Sequence, residues 1–281
     1  MNLDIKALQN VEIPPLDSTV HEALALLCNA EVDGRVLANA ISHDTGLIQN
    51  LFKVANSAYF SQGKPTSDVT TAISRIGFSW VRQVLVSHAL KSSFSFKSNR
   101  IFDGNIFRRH SSFVAFVAQD LARKRCPDLM HDLFLAGMFH DVGLAALATF
   151  LPAEFEILVS ECLRTEVSFS EAEEKLKRDS HRDVGSAIVA QWNFPESVCK
   201  LIETHDLPFN ITSSKIDEKL HVPAEILAIA DKLAHRFGAG YNTYHHDNFI
   251  SPFSLKRVKL TPEDLMGSVA LCNEFAGSMF S

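Results

Sequence analysis

Residues 134–144 read Phe-Leu-Ala-Gly-Met-Phe-His-Asp-Val-Gly-Leu, and no other stretch limits the fold of this chain as much. A run this apolar has to be buried, and burying it carries an imidazole and a carboxylate, His140 and Asp141, inside. An unpaired carboxylate there is costly or takes up a proton. A divalent metal would pair with both side chains. Five more donors of the same chemistry lie in or at the ends of helix-like segments: His110, His181, His205, Asp206 and Asp231. Together these nitrogen and oxygen donors are what a mononuclear or dinuclear centre in a helical bundle requires. The mixture suits one or two ions of iron, manganese, zinc or nickel.

Each donor also has a plainer reading. His110 could bond a backbone carbonyl in the core, and His181 could cap the helix that follows it. His205 could sit as a cation at a helix C-terminus, a common use of histidine. Asp231 could pair with Lys232 on a surface. His21, His43, His88, His131, His221 and His235 show no partner pattern, and His245-His246 read as solvated loop residues. Arg108-Arg109 read as a solvated face that, beside a metal, could hold a phosphate.

Helical periodicity dominates and strand-like alternation is nearly absent, so the class is all-α. Helices are predicted over 20–27, capped by Asp17 or Ser18, then 34–41, 47–55, 68–76 and 80–90, with a Gly/Pro-marked break at 56–65. Residues 91–100 are polar and Ser-rich and make a boundary between an N-terminal helical bundle, 1–100, and a second helical lobe packed on it, 101–281. In the second lobe the pattern predicts helices over 105–124, 129–140 (ended by Gly143), 183–192, 196–205 and 224–237. A helix start is expected near Ser170, Glu173 and Glu174, and 207–223 and 238–252 are expected to be irregular.

The bulk numbers narrow the function classes. The net charge is −6, with +1 in residues 1–100 and −7 in the rest, so no basic face calls for nucleic acid. The segments 36–41 and 47–55 could pass for a helix-turn-helix, but the second offers Lys53 as its one cation, and nucleic acid is not expected. The five cysteines are scattered without a C-x-x-C spacing and read as buried thiols of a reducing compartment. No signal peptide and no bilayer-spanning run of ~18 apolar residues is evident, so a cytosolic protein without a membrane segment is expected.

Several runs together resemble one family. They are Asp44-Thr-Gly-Leu; Lys53-Val-Ala-Asn-Ser-Ala-Tyr-Phe60; Ala72-Ile-Ser-Arg-Ile-Gly77; Leu135-Ala-Gly-Met-Phe-His-Asp-Val-Gly143; and His181-Arg-Asp-Val-Gly-Ser-Ala-Ile-Val-Ala-Gln-Trp-Asn-Phe-Pro195. Over roughly residues 14–235 the chain resembles the HDOD family, the HD-related output domains of bacterial signalling proteins. HDOD is itself similar to the HD and HD-GYP metal-dependent phosphohydrolases. The resemblance implies a signalling or scaffolding module without catalysis, receiving its input from a protein partner in trans. It also implies a phosphoester or cyclic dinucleotide as the small ligand to consider. In a hydrolase of this kind Asp141 would bridge two metals, with His110, His140 and Asp231 on the first and His181, His205 and Asp206 on the second. Active HD-GYP enzymes carry a Lys where this chain has Leu144, and their Gly-Tyr-Pro motif is missing here, which counts against efficient catalysis, while the retained donors keep it open.

Overall fold

Aspartates open most helices of the first unit. In the computed structural model the chain is described over residues 12–27, 32–61, 63–94, 102–241 and 249–279. Among the described residues the chain divides into two compact units, 14–93 with 273–279, and 94–272 with 12–13. Every described element is helical, and no strand occurs among the described residues. In the first unit α1 (Ser18–Leu26), α2 (Gly34–Ile41), α3 (Thr45–Ala55) and α5 (Val69–Ile76) each begin after an Asp whose carboxylate accepts a first-turn N–H. Such caps contribute about 0.5–2 kcal/mol each. Between α3 and α5 lies the short α4 (Ala58–Ser61), and α6 (Phe78–Ser93) closes the unit after Gly77, whose φ of 80° suits glycine. Leu37, Ile41, Leu47, Leu51, Ile73 and Leu85 are fully buried and form the core.

The Ala-Asn-Ser-Ala-Tyr-Phe run has a structural task in this unit. Asn56 donates to the Thr66 carbonyl at 2.9 Å and accepts the Thr66 N–H at 2.7 Å. It thereby ties the end of α3 to Thr66 as a backbone bridge would. Arg75 donates to the Ala55 carbonyl at 3.1 Å, securing the end of α3 from α5.

The second unit is built on α7 (Gly104–Arg125), which packs along α8 (Met130–Phe139) and α15 (His221–Arg236). Between α8 and α15 come α9 (Val142–Phe150), α10 (Pro152–Thr165), α11 (Phe169–Leu176), α12 (His181–Gln191), α13 (Glu196–Thr204) and α14 (Phe209–Lys215). After α15 follow α16 (Pro252–Val258) and α17 (Pro262–Met279).

Some expectations need correction. Gly143 does not end a helix: the chain turns at His140-Asp141, and Gly143 lies in the first turn of α9. It is a glycine because the His181 carbonyl oxygen would lie 2.0 Å from a Cβ there. The stretch 207–223 is not irregular throughout, since α14 and the start of α15 fall within it. Pro223 occupies the first turn of α15, where a missing N–H breaks no helical bond. Helix α11 is capped by Ser168 with Glu171 in a reciprocal capping box, not from Ser170, which frees Glu173 for another use. Finally, Pro127–Phe150 is long and apolar enough to qualify as a bilayer span by composition. It is a core segment, 89% buried over its most apolar window and broken by the turn at His140-Asp141. His245, His246 and most of 91–100 lie outside the described residues.

Candidate metal centre

Helix ends place the donors. His140 terminates α8 and His205 terminates α13. The carbonyls of a helix's last turn lack intrahelical partners. Here Nδ1–H of His140 bonds the Gly137 carbonyl at 2.8 Å, and Nδ1–H of His205 bonds the Ile202 carbonyl at 2.9 Å. His110, in the middle of α7, gives its Nδ1–H to the Ala239 carbonyl at 3.2 Å. His181, at the start of α12, gives its Nδ1–H to the buried Glu173 carboxylate at 2.9 Å. With Nδ1 so committed, each neutral ring carries its lone pair on Nε2, the tautomer a metal needs.

These Nε2 atoms converge on Asp141. Although Asp141 stands at the N-cap of α9, its side chain makes no cap bond. Its Oδ2 lies 3.2 Å from His140 Nε2 and 3.5 Å from His110 Nε2. Its Oδ1 lies 3.5 Å from His205 Nε2 and 3.6 Å from His181 Nε2. Asp231, on α15, adds Oδ1 at 3.2 Å from His110 Nε2 and 3.8 Å from His140 Nε2. One carboxylate therefore faces two donor sets, one oxygen to each.

The residues present fit a metal. His110 Nε2 and His140 Nε2 are 3.0 Å apart, both rings are buried, and both Nδ1 atoms already donate. Two lone pairs cannot face one another at that distance without a proton or a cation between them. Three triads among the described residues bring ligand atoms within 4.8 Å of one another: His110, His140, Asp141 and Asp141, His181, His205 on either side of Asp141, and His110, Asp231, His235 beside the first.

The electrostatics follow from burial and mutual contact. Burial opposes ionisation of Asp141, but the imidazoles of His140 and His205 outweigh it and hold the carboxyl well below the usual carboxylate range. Asp231 is held well below that range too, with His235 and His110 overcoming its burial. Burial would lower His181, yet the Glu173 carboxylate pushes it up to about 9. For His110 burial dominates and the pKa falls. Burial, and then the Asp141 charge, keep the Tyr241 phenol protonated well above its ordinary value.

Asp206 lies at the edge of the second donor set. Its Oδ1 accepts from Arg182, its Oδ2 accepts from the Ser170 hydroxyl, and that oxygen is 4.0 Å from His181 Nε2. Arg108 and Arg109 are not brought to the centre. Arg108 bonds Asn105 at 2.6 Å and Arg109 bonds the Gly238 carbonyl at 2.5 Å. Neither of them lines the cavity above the centre. The cations that line the cavity above the centre, about 1270 Å³ in volume, are Arg178, Arg182, Lys232 and Arg257.

Three neighbours of the centre escaped the sequence reading. His235 lies on α15 one turn after Asp231, with Nε2 3.4 Å from Asp231 Oδ1; the i, i+4 spacing was its available signal. Glu173 resembled an ordinary acid of a helix start. Tyr241 lay in a stretch taken to be irregular.

Comparison with known proteins agrees with this architecture. The HDOD domain model matches residues 13–208. The chain belongs to the HDOD family. An HDOD domain protein of Geobacter sulfurreducens has the same fold, with a TM-score of 0.77 at 22% identity, covering 95% of this chain and 92% of that one. A candidate phosphohydrolase of Shewanella amazonensis SB2B aligns with a TM-score of 0.75 at 20% identity over 99% of this chain and 98% of its own. A candidate signal transduction protein of Marinobacter aquaeolei VT8 aligns with a TM-score of 0.76 at 19% identity, covering 95% of this chain and 58% of that one. At these identities the likeness is one of fold. An uncharacterized protein of Treponema pallidum (strain Nichols) is 24% identical over 201 residues, 69% of this HDOD chain and 37% of that relative's length.

Proposed function

We propose that this HDOD protein is a cytosolic signalling module whose second unit holds one or two divalent ions and acts by binding. It binds a protein partner in trans or a phosphate-bearing ligand such as a cyclic dinucleotide, without efficient turnover. The observation that carries the metal is the committed Nδ1 of His110, His140, His181 and His205, which aims four buried Nε2 atoms at the Asp141 carboxylate. Iron, manganese, zinc and nickel all suit these donors. Against efficient catalysis stands Leu144, buried at the floor of the cavity where the enzymes it resembles have a lysine. The cations above it are already engaged: Arg178 with Glu154, Arg182 with Asp206, Arg257 with Glu225, and Lys232 with the Phe249 carbonyl.

A second reading, a metal-dependent phosphohydrolase, is favoured by the two-sided placement of Asp141. A bound ion would polarise a phosphoryl oxygen and acidify water. His110, His140 and Asp231 would hold one ion, and His181 and His205 the other.

Elemental analysis by ICP-MS of protein purified without chelator or a nickel column, beside Asp141→Ala, tests the centre. Near-stoichiometric metal that the variant loses is expected. Folded wild-type protein free of metal would remove both readings of the centre. Turnover of phosphodiesters by loaded protein, abolished in Asp141→Ala, would replace the binding module with the hydrolase.

A further inference from the structure

The Arg182–Asp206 pair differs from the other ion pairs around the cavity. Arg257 is held in a fork by Glu225, at 3.1 and 2.8 Å, and Arg178 by Glu154 at the rim. Neither carboxylate forms an ion pair with a donor histidine among the described residues. Asp206 does. Its Oδ2 points toward His181 Nε2 from 4.0 Å, only slightly farther than Asp141 Oδ1 at 3.6 Å, and the hydroxyl of Ser170 occupies that oxygen. Arg182 is positioned independently of Asp206, because its Nε also donates to the Ser180 hydroxyl at 3.0 Å. Its guanidinium is thus the one among these paired cations whose counter-ion has a second destination.

We infer that Asp206 is a latch on Arg182, and that Arg182 is the anion-binding residue of the cavity, selective for a phosphate-type oxyanion. The proposal rests on reading the cavity as a metal-centred ligand site. With His181 and His205 facing no ion, Asp206 neutralises Arg182. A cation held between Asp141, His181 and His205 draws Asp206 away from Ser170, and the guanidinium is left to an incoming anion. Arg presents paired N–H donors that match two phosphoryl oxygens, which suits it to this role better than a point charge. The two binding events are therefore linked and reciprocal: metal raises anion affinity and the anion raises metal affinity by the same factor. The residue doing what the missing lysine does elsewhere is Arg182, which lines the same cavity as Leu144.

Isothermal titration of the full chain with inorganic phosphate tests this. Methyl phosphate is titrated in parallel to represent a phosphoryl group on a larger molecule. Wild type, Arg182→Gln and Asp206→Asn are each compared metal-stripped and metal-loaded, at low ionic strength, with ICP-MS and circular dichroism on every sample. Arg182→Gln is expected to lose at least about tenfold in affinity for whichever anion binds more tightly, with its metal content unchanged. Asp206→Asn is expected to bind the anion several-fold more tightly than wild type in the stripped state, because the guanidinium has lost its competing charge. That gain is independent of whether the wild type holds metal, so it separates this proposal from the metal reading itself. Wild-type anion affinity in Arg182→Gln would overturn the proposal. So would an Asp206→Asn protein that loses metal and anion binding together with no gain when stripped, since Asp206 would then be an ordinary ligand.

Discussion

His181 and Glu173 are joined twice: the ring Nδ1–H reaches both carboxylate oxygens, at 2.9 and 3.0 Å, and the backbone N–H of His181 bonds the same carboxylate at 3.0 Å. Both side chains are buried. The pair fixes the ring's tautomer and its rotation about χ2, so that Nε2 faces Asp141. Partners of this kind raise the basicity of a ligating imidazole, and their loss typically weakens metal binding about 10–100-fold. Glu173→Gln keeps the shape and one acceptor oxygen, so the fold should persist. Metal affinity, measured by competition with a chromophoric chelator, should fall within that range. An unchanged affinity would make Glu173 a packing residue alone.

A second prediction concerns the crossing of α9 and α12. A Cβ on Gly143 would stand 2.0 Å from the carbonyl oxygen of His181 and 3.0 Å from the backbone nitrogen of Gly185. Backbone cannot yield as the end of a side chain can, so Gly143→Ala must push the two helices apart. Overpacking of this kind costs about 3 kcal/mol at its upper range, which lowers Tm by roughly 6–12 °C for a unit of this size. A thermal melt followed by circular dichroism reads it. The same shift displaces His181, so metal should bind less tightly at temperatures where the variant is still folded. A melt identical to wild type would mean the close approach relaxes without cost.

The third prediction is a pH dependence outside the centre. Lys124 of α7 donates to Asp264 of α17 at 2.8 Å, and the Thr261 N–H donates to the same carboxylate at 3.0 Å. The lysine, then the backbone bond, bring the carboxyl down from 3.8 to about 2. The folded value lies below the unfolded one, so the interaction stabilises the fold above pH 4 and is lost as pH falls through 2. Carbon-detected NMR titration should place Asp264 near 2 in the wild type and closer to its ordinary value in Lys124→Met. No difference between the two proteins would assign the shift to Thr261 alone.

The donors were legible in the sequence because each interrupts a pattern. His140-Asp141 closes an apolar run, and Asp231 breaks an apolar helix face, so chemistry stood out against burial. The cap of α1 was legible for a similar reason, since Asp17 precedes a helical period, whereas Asp68 was expected inside its helix and instead caps it. Glu173 was not, because an acid near a helix start looks the same whether it caps or turns inward. Only the capping box made by Ser168 and Glu171 shows that it is free to turn. His235 could have been found from its spacing to Asp231, but that spacing is also what a surface helix offers. The cations of the cavity were illegible for a different reason. Arg108 and Arg109 adjoin His110 in sequence and leave it in space, whereas Arg182 reaches Asp206 through the packing of α12 against α13.

His140 and His205 stopper their helices with one ring nitrogen and face Asp141 with the other. Each ring therefore answers to two selective demands, and only one of them concerns chemistry. A lineage that had given up both turnover and metal would still lose the seal on α8 and α13 by replacing either residue. Histidines so placed can be kept for their helix ends alone, so a full set of donors speaks for the architecture of α8 and α13 as much as for chemistry at Asp141.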